Sequence, residues 1–107
     1  MSLDIILIAT RPTVIFDANV THNLNKMAEA AGVYQALWRP EEIGVTHAAD
    51  LIHPLRTGLL KLKTAPSKYR KLNPANGWGS YDNLVKVVED LLNACTDNPD
   101  ATVEVSR

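Results

Sequence analysis

Ile5, Ile6, Leu7 and Ile8 form an apolar, largely β-branched run too short for an ordinary helix, and Thr13-Val14-Ile15-Phe16 repeats that character after a four-residue gap. The pattern predicts two strands. Thr10-Arg11-Pro12 between them supplies a fixed φ and removes one ladder donor, so the pair reads as a hairpin without Asn-Gly turn chemistry. Asp17-Ala18-Asn19-Val20 then reads as the exit from the second strand.

From Thr21 the period changes. Thr21 is placed to cap a helix in which Leu24, Met27, Ala28 and Ala31 recur at helical spacing, and Gly32 falls where a helix end takes a left-handed residue. Tyr34, Leu37 and Trp38 predict one short helical turn closed by Pro40, with the aromatics as lids on the core. Thr46 is placed to cap a further helix through Ile52. Pro54 predicts a break at His53 and a new helix carrying Leu55, Leu59, Leu60 and Leu62 as its apolar stripe. Ala65-Pro66 ends that helix, and Ser67 opens one more turn through Lys71.

Residues 73–79, Asn-Pro-Ala-Asn-Gly-Trp-Gly, compose a loop. A long helix follows from Ser80, with Leu84, Val88, Leu91, Leu92 and Cys95 on one face and Lys86, Glu89, Asp90 and Asn93 on the other. After the turn at 96–100, Ala101-Thr102-Val103-Glu104-Val105 alternates as a half-buried strand does. The order β-β, helices, β predicts an α+β domain spanning 1–107. Its sheet would be three-stranded and largely antiparallel, a hairpin plus the C-terminal strand, packed on one face by three or more helices. Because the first strand is apolar at both alternating phases, its second face calls for a cover other than the helical layer, and self-association is the simplest one.

Composition narrows the class. The chain has 107 residues, 46% hydrophobic and 21% charged, within the range of folded globular domains, and a formal charge of -1 that leaves no global footprint for a polyanion. No apolar run approaches the roughly 18–20 residues of a membrane span. The start Met1-Ser2-Leu3-Asp4 lacks secretory features, and Ser2 and Leu3 are given no functional weight. The single Cys95 forms no internal disulfide, which fits a reducing cytoplasm.

Two segments hold the residue types that recognition chemistry needs. Asp17, Asn19, Thr21, His22 and Asn23 crowd a strand exit and helix start, where they read either as caps for orphan amides or as an anion or acid-base site. Asn73 to Tyr81 places Asn76, Gly77, Trp78 and Gly79 before a helix. The glycines permit close backbone approach, and Trp78 with Tyr81 offers stacking area; alternatively, Trp78 plugs the core while the glycines supply turn angles. The tentative ligand-binding set is Asn19, His22, Asn76, Gly77, Trp78, Gly79 and Tyr81. Phosphate-loop and nucleophile-elbow spacings are lacking, His22, His47 and His53 do not have zinc spacing, and Cys95 falls in an apolar stripe. No catalytic residue, metal or cofactor is assigned.

Charge is unevenly placed. Arg56, Lys61, Lys63, Lys68, Arg70 and Lys71 form a basic stretch without an acid, while residues 82–104 hold six acids and one Lys. A solvated face explains such a run most simply. Nucleic acid is disfavoured as a partner, and another protein or a second copy is favoured.

Thr21-His22-Asn23, Leu37-Trp38-Arg39-Pro40-Glu41-Glu42, Asn73 through Tyr81 and Asn98-Pro99-Asp100-Ala101 together resemble small uncharacterised proteins of bacteria, phages and prophages, from about Phe16 to the C-terminus. That family carries no assigned activity, so the resemblance implies an accessory protein that works by binding and assigns no role to any position. The expectation is a small cytoplasmic binding or assembly module without catalysis. The alternative is a small-ligand site or enzyme built from the Asn73–Tyr81 loop with Asn19 and His22.

Overall fold

A computed structural model describes residues 2–9 and 14–107. Strand β1 (Ser2–Ile8) lies at the centre of a three-stranded sheet, with β2 (Val14–Thr21) antiparallel on one side and β3 (Thr102–Ser106) antiparallel on the other. The expected α+β architecture is therefore present. The proposed turn at Thr10-Arg11-Pro12, with Thr13, lies outside the described residues.

Register sorts the strand residues by face, because paired residues of adjacent strands share a side. Leu3 pairs with Val20, Ile5 with Ala18 and Val105, and Leu7 with Phe16 and Val103, which makes one apolar face. Leu3, Ile5 and Leu7 are fully buried there beneath the helices. Leu3 is thus a core residue. The opposite face carries exposed Asp4, Asp17, Asn19, Thr102 and Glu104 around half-buried Ile6 and Ile8.

Strand β2 runs five residues beyond the expected apolar segment. Asp17, Asn19 and Thr21 are polar because they occupy the outward phase of a strand, and the intervening Ala18 and Val20 take the inward one. A bulge between Leu7 and Ile8 shifts the register so that Ile8 pairs with Val14.

Thr21 ends β2 and accepts a hydrogen bond from the Asn23 amide at 3.3 Å, opening a 3-10 turn (His22–Leu24) that continues into α1 (Asn25–Ala31). Gly32, at φ 78°, closes α1 as the sequence predicts. Helix α2 (Tyr34–Trp38) buries Leu37 and Trp38, and Pro40 starts a 3-10 turn through Ile43.

Helix α3 (Ala49–Thr64) is continuous, which corrects the expected break at His53. Pro54 lies close to the helix start, where its missing N–H costs only the bond to the Asp50 carbonyl, and the buried stripe Leu51, Leu55, Gly58 and Leu62 passes it without interruption. Thr46 is not its cap: no side chain caps α3, and the Asp50 carboxylate in its first turn instead reaches back to accept from the backbone amides of Thr46 and His47 at 3.1 Å each. The segment before α3 also runs along β3, with the Val103 amide donating to the Thr46 carbonyl. Helix α4 (Pro66–Arg70) and the long α5 (Tyr81–Asp97), capped by Ser80, complete the layer, and α3 packs along α5.

Candidate functional site

The loop 73–80 is fixed at both ends. The Asn73 side-chain carbonyl accepts from the Tyr81 amide at 2.8 Å, and Asn76 Oδ1 accepts from the Trp78 amide at 2.9 Å. Gly77 and Gly79 have φ of 75° and 93°, values that favour glycine. At Gly79 the requirement is also steric, since a Cβ there would come within 2.6 Å of Thr21 Cγ2 and 3.1 Å of Leu24 Cγ. The loop thus lies directly on the junction between β2 and α1, and Asn23 Nδ2 reaches the Trp78 carbonyl at 3.5 Å.

This arrangement leaves Trp78 71% exposed, so the reading of Trp78 as a core plug is overturned. The core is filled instead by Trp38, 2% exposed and stacked 5.6 Å from Tyr34. Beside Trp78 lies a groove of about 440 Å³ walled by Ser2, Asn19, Thr21, Asn23 and Asn76. Three of the expected residues, Asn19, Asn76 and Trp78, meet there. They come together because Asn19 and Thr21 share the outward phase of β2 and the loop closes over the end of that row.

The other expected residues take different places. His22 lines an adjoining cleft of about 560 Å³, and its ring lies 6.1 Å from that of Trp38. Gly79 faces a third groove, between β2 and α5, that Asn19 and Thr21 also line. Gly77 shapes the turn with its amide on the Pro74 carbonyl. Tyr81 belongs to the core: it is 6% exposed and its hydroxyl donates to the Leu62 carbonyl at 2.7 Å. Pro66, which lacks an N–H, cannot serve that carbonyl four residues on, so Tyr81 replaces the missing helical donor. Asp17 lies on the outer sheet face, paired with Ile6 and apart from His22's cleft.

Donor and acceptor accounting gives the groove its chemistry. Asn19 Nδ2 donates to Ser2 Oγ and to Asp4 Oδ1, both at 2.8 Å, which leaves Asn19 Oδ1 as its spare group. Asn23 commits one amide hydrogen to the Trp78 carbonyl and keeps its other N–H and Oδ1, whereas Asn76 commits Oδ1 and keeps its NH₂. Its amides therefore offer two acceptors, Asn19 Oδ1 and Asn23 Oδ1, and donors from Asn76 and Asn23, beside the Ser2 and Thr21 hydroxyls and an indole face. Ser2 and the lysines of the adjoining cleft were missed as site residues, and Asn23, named with the strand-exit cluster, was left out of the ligand-binding set, because only sheet register and loop closure bring them together.

Reactive groups lie elsewhere. Cys95 is fully buried on α5, and burial pushes its thiol up to about 11, well above the range in which a thiolate forms near neutral pH. Among the described residues no group of three His, Cys, Asp or Glu side chains is placed to hold a metal ion. The basic stretch is partly compensated by the neighbouring helix, with Lys63 2.9 Å from Glu89 and Arg70 3.6 Å from Asp82. No helix of the described residues is long and apolar enough to cross a membrane.

Comparison with protein-family models, curated proteins and solved structures yields no match.

Proposed function

We propose that this chain is a small, non-catalytic binding module that recognises its ligand in the groove beside Trp78. The observation that carries the reading is the exposed indole. A tryptophan left in water forgoes a large burial gain, and here two left-handed glycines, an Asn76 turn and a contact to Asn23 hold it there. An aromatic face beside convergent amide groups suits a small polar ligand with a flat or apolar side. The implied phage or prophage accessory role and a cytoplasmic setting are consistent with a protein that acts by binding and holds one buried thiol.

The test is a nuclear magnetic resonance screen with neutral polar fragments. The exposed indole of Trp78 and the side-chain amides of Asn19, Asn23 and Asn76 should shift together, and the Trp38 indole should not follow. If no fragment moves that cluster at millimolar concentration in the folded protein, the reading falls.

A second reading, assembly through the open sheet face, is favoured by one observation. Ile6 and Ile8 stand on the solvent side of β1, and Val14, which pairs with Ile8, is 55% exposed.

A further inference from the structure

Asn23 belongs to two cavities at once: the Trp78 groove and the adjoining cleft between the start of α1 and the chain after α4. The two spaces share that residue in their walls, but their chemistry differs. The groove has no cation in its wall. The cleft has two, Lys26 and Lys71, together with His22, Asn25 and Asn73, and no carboxylate lines it.

Neither lysine is in an ion pair among the described residues, although Lys63, Arg70, Lys86 and Arg107 all are. Asn73 gives its Oδ1 to the Tyr81 amide, which leaves its NH₂ as a further donor. His22 Nε2 and Asn25 Oδ1, on residues that line the cleft, and Trp38 Nε1 behind His22 are buried without a hydrogen-bond partner among the described residues. Two uncompensated ammonium groups beside a spare amide donor call for a compact anion.

The two halves complement one another. Asn19 Oδ1 and Asn23 Oδ1 accept, Asn76 NH₂ and the second Asn23 N–H donate, Trp78 supplies a stacking face, and Lys26 and Lys71 supply positive charge in the cleft on the other side of Asn23. A base with an exocyclic amine presents the matching donors and acceptor on its edge, a planar face for the indole and, through its sugar, a phosphate. We infer that the cleft lined by Lys26 and Lys71 is the anion subsite of the Trp78 groove, and that the combined site takes a nucleoside monophosphate bearing an amino-substituted base.

This rests on the groove being the recognition site, and adenosine and AMP separate the two ideas. Titrations of the full chain at low ionic strength, followed through the Trp78 indole and the backbone amides of residues 22–26 and 71–74, should give AMP at least about tenfold tighter binding than adenosine, narrowing as salt rises. In the double variant K26Q/K71Q, whose lysines are exposed and outside the core, AMP should fall to the adenosine level while adenosine binding is unchanged. Trp78→Ala should weaken both ligands about ten- to hundredfold. Equal affinity for AMP and adenosine at Trp78 would remove the anion subsite and leave the groove standing. Shifts from AMP confined to the cleft, or no response to either ligand at millimolar concentration, would overturn the joint site.

Discussion

Two side chains and one hydrogen atom set much of the local architecture. Gly58 sits inside α3, where alanine would ordinarily stabilise a helix by about 1 kcal/mol, yet a Cβ at that position would collide with Val33 Cγ1. Gly58→Ala should therefore destabilise the fold by about 1–3 kcal/mol in urea unfolding, and Val33→Ala in the same chain should recover part of the loss. The Tyr81 hydroxyl is as specific, because it serves the Leu62 carbonyl that Pro66 leaves without a helical donor. Tyr81→Phe should cost about 1–3 kcal/mol, as expected when a buried acceptor loses its partner, and should leave ligand titrations at Trp78 unchanged. Trp78→Ala should do the reverse: stability within about 0.5 kcal/mol of the parent and binding lost.

At the level of elements, the start of α3 shows how a local charge is tied to a fold. The Thr46 and His47 amides hold the Asp50 carboxyl below its ordinary value of 3.8. Since the folded state lowers this pKa, the contribution is fully present above the unfolded value and disappears as pH falls through the folded one. Urea midpoints for the parent should drop more steeply than those for Asp50→Asn as pH falls below about 4, and parallel curves would show that this contact carries no linkage. Apolar spacing made α1, α2, α5 and β3 legible because each carries its own period and a recognisable end. It failed at Pro54, where packing of the stripe on either side outweighs one lost bond, and in β2, where outward polar residues imitate a loop. The site was half legible. Glycine chemistry pointed to the Trp78 loop, but only the register that aligns Ser2, Asn19 and Thr21 selects its neighbours, and nothing local signals that Lys26 and Lys71 share a cleft.

For the whole molecule, the sheet has two unlike edges and one open face. The β3 edge is occupied by the segment at Thr46–His47, whose carbonyl and bridge run to Val103 and Thr102. The outer face has an apolar centre, Ile6 and Ile8 with Val14, surrounded by Asp4, Asp17 and Glu104. A second copy laid face to face would bring these carboxylates together, so association through this face is opposed by their charge and favoured by burial of the central residues. The balance therefore shifts with salt. If assembly uses this face, light scattering at high micromolar concentration should give a mass that rises toward the dimer as salt is added, since screening weakens the repulsion and spares the apolar contact. Val14→Lys, at an exposed position, should hold the protein monomeric under the same conditions without loss of secondary structure. A parent chain that stays monomeric at every salt concentration would exclude the sheet face as an assembly surface.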